Sequence, residues 1–103
     1  MLEKEVEDPV CRYARSKGLT AYKFTSPNRR SVPDRLFTGN GALIFFIEFK
    51  APGKKPNPKQ WREIRRLQDQ GFHVYVCDDI EIGKWLIDNE IENTAQELPD
   101  QGD

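Results

Sequence analysis

Three side chains in this sequence could act together on one reacting atom: Asp34, Glu48 and Lys50. They lie within VPDRLFTGNGALIFFIEFKAPGKK, where an aspartate precedes an apolar run and the pair Glu-x-Lys closes it. An unpaired charge is costly to bury, so charges in such a run call for a partner or a metal ion. Two neighbouring carboxylates repel, and one tends to keep its proton. A divalent cation reverses that preference. Magnesium takes one or two carboxylates and fills its shell with water and substrate phosphate. Such an ion lowers the pKa of a bound water and polarises a phosphoryl oxygen. A nearby ammonium can orient the attacking water or stabilise charge building on the phosphate. The plainer reading of Glu48 and Lys50 is a salt bridge at a strand end. The spacing Asp-x13-Glu-x-Lys does not by itself decide between the two.

A hairpin would bring the three groups together. Strand side chains alternate, so Ile44, Phe46, Glu48 and Lys50 share one face, and Leu43, Phe45, Ile47 and Phe49 share the other. Both faces are apolar, which predicts a central strand covered on both sides. Residues 34–37 and 42–51 read as two strands joined by Thr38-Gly39-Asn40-Gly41. A three-residue loop, Gly39 to Gly41, places Asp34 opposite Phe46 and diagonal to Glu48, about 7–8 Å away or less. A two-residue loop would turn Asp34 to the other face.

The flanking elements follow from periodicity and stop signals. Residues 2–17 read as a helix with an apolar stripe at Val6, Val10, Tyr13 and Ala14, ended by Gly18. Pro9 either kinks this helix or starts it, with Asp8 as the cap. The stripe continues across Pro9, which favours one kinked helix. Residues 19–25 form a candidate strand, and SPNRRSVP and APGKKPNP are loops. Residues 58–70 predict a helix with Trp61, Ile64 and Leu67 inward and Gly71 as its stop. Residues 72–77 predict a strand and residues 80–91 a last helix anchored by Trp85 and Leu86. Residues 93–103 read as an acidic, frayed tail. The fold class is α/β, one small mixed central sheet flanked by helices, with the domain at 1–92.

Composition narrows the function. The chain has 103 residues, 37% of them hydrophobic, enough for one modest core. The N-terminus, MLEKEVED, is charged, and no apolar run is long enough to cross a bilayer, so a cytoplasmic location is expected. Cys11 and Cys77 lack metal-ligand spacing and read as buried reduced thiols. With one histidine, His73, read as structural, a His-based zinc site or a Ser-His-Asp triad has little to work with. The net charge of −1 hides an asymmetry: between Arg12 and Arg66 stand fourteen Lys or Arg against three acids, Asp34, Glu48 and Glu63. A block this basic suits a polyanion, commonly a phosphate backbone, although a solvated charged face is the alternative. Lys23, Arg29, Arg30 and Arg35 flank Asp34, and Lys54, Lys55 and Lys59 follow Lys50. They are candidate phosphate contacts, with Ser26 as a further one. Trp61, Trp85, Tyr22 and Phe24 read as core, and Glu63 as a partner of Lys59 or Arg66 along its helix.

KFTSPNRRSVPDRLF, FIEFKAPGKKP and the following Gln60 resemble the VRR-NUC family of the PD-(D/E)XK nuclease superfamily, over about Glu3 to Trp85. The resemblance implies a restriction-endonuclease-like fold and a magnesium- or manganese-dependent endonuclease acting on DNA. It assigns Asp34 and Glu48 to the metal, with Phe49 beside them, and Lys50 to catalysis. Gln60 matches a glutamine that helps shape the site. Glu7, eleven residues before Gly18, resembles the first-helix acid, with Glu3 one turn earlier in reserve. Ser31 and Asn28 stand where the family pattern has glycine. Stand-alone members of this size are similar to phage enzymes that work as homodimers on branched DNA such as four-way junctions. A nucleic-acid-binding module without catalysis is the competing expectation, and a sequence-specific restriction enzyme a weaker one.

Overall fold

The structure, a computed structural model, describes residues 1–97. Its elements in chain order are α1 (Glu3–Ser16), β1 (Thr20–Lys23), β2 (Arg35–Gly39), β3 (Leu43–Phe49), α2 (Pro58–Asp69), β4 (His73–Cys77) and α3 (Ile80–Glu97). The strands form one sheet in the order β1-β2-β3-β4, antiparallel except for the parallel β3–β4 pair. The α/β class and the mixed sheet flanked by helices are those expected. None of the helices among the described residues is long and apolar enough to cross a membrane.

Strand β3 is interior and covered on both sides, as its two apolar faces require. On one face Phe37, Leu43, Phe45, Ile47 and Phe49 pack against Val6, Val10, Cys11 and Ala14 of α1 and Leu86 and Ile87 of α3. Phe37 and Phe45 stack with ring centroids 4.9 Å apart. On the other face Phe46 and Val74 pack against Ile64 of α2, with Phe24, Leu36, Trp61 and Leu67 around them. Helix α2 is the crossover that a parallel pair needs, so it starts near the end of β3 that carries Glu48. Asn57 caps it: Asn57 Oδ1 accepts from the Gln60 amide and Gln60 Oε1 accepts from the Asn57 amide, both at 2.9 Å, with Pro58 in the first turn.

Helix α1 runs through Pro9 in one piece. Proline leaves one carbonyl of the preceding turn without its amide partner. Fully buried Val6 and Val10 on either side supply the packing that offsets this. Cys11 and Cys77 are buried and unpaired by disulfide. His73 Nδ1 lies 2.7 Å from Glu90 Oε2, and the Tyr75 hydroxyl donates to the same oxygen. Glu90, 2% exposed, is thus satisfied inside the layer between β4 and α3.

Four expectations are corrected. The hairpin loop is Asn40-Gly41-Ala42, because Gly39 pairs with Leu43 and remains in the strand. A Cβ on Gly39 would sit 2.6 Å from Leu19, so this glycine serves close packing, and the left-handed turn positions are Gly41 (φ 74) and Ala42 (φ 60). Trp85 is 62% exposed, because the inward stripe of α3 is Gly83, Leu86, Ile87 and Glu90. Tyr22 is 51% exposed, since β1 is a sheet edge and α2 packs on β4 and the β3 surface beside it. Helix α3 runs to Glu97, beyond the expected stop at Ile91, with Ile91 packed on the core. The remainder of the expected tail, 98–103, lies outside the described residues.

Gly83 lets α3 approach α1 closely. A Cβ there would lie 2.4 Å from Val10 Cγ2 and 3.0 Å from Cys77 Sγ. Alanine gains about 1 kcal/mol of helix propensity, but overpacking costs typically about 1–3 kcal/mol. Gly83→Ala should therefore lower the melting temperature, at roughly 4–8 °C for each kcal/mol lost. A thermal melt by circular dichroism checks this, and an equal or higher melting temperature contradicts the packing described.

Candidate active site

The observed register pairs Arg35 with Ile47 and Leu36 with Phe46. The ladder ends at Arg35–Ile47, and carrying its register one step further sets Asp34 opposite Glu48, where the expected loop had placed it opposite Phe46. The shift is two residues, so Asp34 keeps the expected face. Two hydrogen bonds close the site. The Asp34 amide donates to Glu48 Oε1 at 3.2 Å, and the Phe49 amide donates to Asp34 Oδ2 at 2.9 Å. The Asp34 carbonyl in turn accepts from the Phe24 amide at 2.9 Å, which ties the site to β1. Pro33, buried, fixes the chain just before Asp34.

Lys50 Nζ lies 3.4 Å from Glu48 Oε2, so the structure brings Asp34, Glu48 and Lys50 together. Glu48 is 2% exposed, and burial, then the charge of Asp34, push its carboxyl up to about 7, against the pull of Lys50. Burial also raises the Asp34 carboxyl, and the hydrogen bond from Phe49 only partly opposes this. One ammonium does not neutralise two carboxylates of which Glu48 is buried and Asp34 half-buried.

The first-helix acids differ. Glu7 is held by Arg35, with Nε 2.6 Å from Oε2, so both of these candidates are engaged with each other. Glu3 forms no ion pair among the described residues. Burial and then Asp34 raise its carboxyl, and Lys50 lowers it, so Glu3 too faces the Asp34–Lys50 end of the sheet. The Gln60 side chain is occupied in the α2 cap. That role was legible in the Asn-x-x-Gln spacing before a helix.

Of the basic candidates, Lys23, Arg30, Lys54, Lys55 and Lys59 are exposed, and Ser26 is half-buried in its loop. Arg29 makes an ion pair with Glu63 at 2.8 Å. This corrects the expected partners of Glu63. Its carboxylate is turned toward loop 26–31, while Lys59 and Arg66 point into solvent. Sequence reasoning also passed over Arg62 and Arg65, and took Arg66 only as a helix partner of Glu63. The three arginines line an open groove with Arg29, Arg30 and Lys59. Their i, i+3, i+4 spacing on α2 was the signal available.

No family model matches the sequence. The fold is similar to a solved structure described as "VRR_NUC domain", with a TM-score of 0.74 and 27% identity, covering 87% of this chain and 94% of that one. A protein of Acyrthosiphon pisum secondary endosymbiont phage 1 named "Putative nuclease p44" is 44% identical over 84 residues. The match spans 82% of this chain and 90% of the phage protein. The chain belongs to the VRR-NUC family. It is a member of the phage type. Where the VRR-NUC pattern has a glycine before Val32, Ser31 adopts φ 66, the left-handed backbone that glycine takes without strain.

The raised carboxyl of Glu48 has a consequence for stability. Its folded pKa of about 7 lies above the ordinary 4.5, so the folded chain keeps a proton that the unfolded chain releases. Stability from this group is present below the ordinary value and is lost as pH rises toward the folded one, on the order of 3 kcal/mol in all. In chelator, the wild type should lose stability between pH 5 and pH 8, read as urea midpoints across that range (roughly the window set by linkage). Glu48→Gln should flatten the profile and be the more stable protein at pH 8. An unchanged slope in Glu48→Gln contradicts the assignment.

Proposed function

We propose that this VRR-NUC protein is a metal-dependent, structure-selective DNA endonuclease. Its working groups are Asp34, Glu48 and Lys50. The observation that carries the reading is the closure of the β2–β3 hairpin, which sets two desolvated carboxylates and an ammonium at one sheet end. Family membership and the phage relative support nuclease activity.

The donor set fits a small hard cation. Among the described residues no three His, Cys, Asp or Glu side chains are placed to hold an ion between them. Asp34 and Glu48 supply two carboxylates, and both are raised, first by burial and then by a neighbouring acid. That is the ligand number magnesium accepts when water and substrate phosphate complete its shell. Asp34 and Glu48 would hold magnesium or manganese, with Phe49 at the main chain and a first-helix acid, Glu7 or Glu3, contributing beyond them. The bound ion would supply a water of lowered pKa and polarise a phosphoryl oxygen.

The chain's own residues do the rest. Asp34 is fixed by the Phe49 amide, so its carboxylate stays aimed at the sheet end. Lys50 stands beside Glu48, where it orients the attacking water or stabilises charge on the phosphate. Burial of Glu48 excludes water from the far side of the site. By resemblance to the family, the 3′ oxygen is the leaving group, so the products carry a 5′-phosphate and a 3′-hydroxyl. Lys23, Ser26, Arg30, Lys54, Lys55 and Lys59 grip phosphates on either side of the scissile bond. Branched DNA such as a four-way junction is the substrate, cut in the cytoplasm of a bacterial or phage-infected cell. A homodimer with one site per subunit nicks two strands across a two-fold axis.

The second reading is a binding module in which Glu48 and Lys50 merely pair, and their 3.4 Å approach favours it. A labelled four-way junction separates the two. Wild type should cut it only with magnesium or manganese. Asp34→Ala and Lys50→Ala should bind it and cut at least about 100-fold more slowly, the scale of losing one charge-stabilising donor. Equal cutting by wild type and Lys50→Ala refutes the mechanism. No metal-dependent cutting of any DNA form favours the binding module.

A further inference from the structure

The open groove between loop 28–31 and α2 has a volume of about 860 Å³, and of its lining residues only Arg30 and Lys59 were given a phosphate above. Six basic residues line it: Arg29, Arg30, Lys59, Arg62, Arg65 and Arg66. Two acids, Glu63 and Asp69, also line it, and Glu63 is already bound by Arg29. The three α2 arginines and Arg30 are exposed and have no ion-pair partner among the described residues. Like charges held at i, i+3 and i+4 oppose one another and cost stability, so an uncompensated set suits a bound polyanion.

The groove's place in the chain fixes its relation to the site. Loop 28–31 leads within three residues into Asp34, and α2 begins eight residues after Lys50. From there α2 runs back along the sheet toward the start of β4, away from Glu48. From Lys59 to Arg66 it advances about 10 Å, roughly three base steps of a duplex strand. Guanidinium forks match phosphate oxygens. The aromatic side chain nearest this ladder, Trp61, is half-buried against Phe46 and Ile64, with Arg65 5.8 Å from its ring. The groove therefore has charge for a backbone and no free platform for stacking bases.

We propose that this groove is a second phosphate track, built on Arg62, Arg65 and Arg66. It holds a duplex arm that leads away from the cut and is not itself cut. The proposal rests on the DNA-directed reading of the preceding subsection and assigns that DNA a path. Such contacts set affinity, salt dependence and the direction in which an arm leaves the site, and carry no base sequence.

The test is binding, measured without metal by fluorescence anisotropy. The probes are a short labelled duplex and the same duplex extended by one helical turn, about 10 base pairs. The protein is compared with Arg62→Ala/Arg65→Ala/Arg66→Ala and with the matching triple lysine variant. Wild type should gain affinity on extension of the duplex, and the alanine variant should not. The alanine variant's plot of log affinity against log salt should be shallower by about 2–3, at about 0.9 for each phosphate no longer neutralised. The lysine variant should keep most of the slope, and saturating cutting rates should agree within twofold. An alanine variant that melts like wild type and keeps its slope and length dependence overturns the track. So does unchanged binding with abolished cutting. A wild type that binds with the expected slope but never cuts removes the nuclease reading and leaves the track standing. A wild type that binds no DNA removes both.

Discussion

The site depends on a reciprocal pair of hydrogen bonds between the two limbs of one hairpin. The Asp34 amide reaches the Glu48 carboxylate, and the Phe49 amide reaches the Asp34 carboxylate. Glu48, within β3, and Asp34, just before β2, each thereby accept a hydrogen bond from the opposite limb. The arrangement exists only in one register, because a slip of one residue moves a side chain through the sheet. That register is held by what lies beneath it. Phe37 stacks on Phe45, Gly39 lets Leu19 approach, and the turn at Asn40-Gly41-Ala42 supplies left-handed backbone where the chain reverses.

This closure explains why an apolar strand tolerates charge. Strand β3 spends its apolar residues on two separate clusters, one beneath α1 and α3 and one beneath α2. Glu48 arrives at the end of the strand, still buried, with one ammonium and one amide for company. Its raised carboxyl is the cost of that placement, and it makes the site a destabilising feature until a positive charge is supplied. The first-helix acids add to the negative charge at this end. Arg35 compensates Glu7, while Glu3 remains uncompensated among the described residues.

Much of this was legible in residue types and spacing, and the failures have physical causes. The alternating faces of 43–49 give an interior strand, and Asn-Gly gives the reversal. The loop's start was misplaced because a glycine required for packing at position 39 looks identical to a glycine required for a turn. The error spanned two residues, so parity survived and with it the convergence of Asp34 and Glu48. Trp85 was misread because the true inward stripe of α3 contains a glycine and a glutamate, which carry no apolar signal. The Arg29–Glu63 pair joins residues far apart in sequence, and helix spacing reports only local partners. Residues 93–97 looked like tail by polarity, yet the α3 helix continues through them.

The central claim is that Asp34 and Glu48 together form a cation site, and its most direct measurement needs no DNA. Melting temperature is followed at pH 8 as magnesium is added to wild type, Asp34→Asn and Glu48→Gln. A ligand that binds only the folded state stabilises by RT ln(1 + [L]/Kd). The wild type should therefore rise with the logarithm of magnesium concentration, and both variants should stay flat. A flat wild type, or variants that rise in parallel with it, would contradict the account.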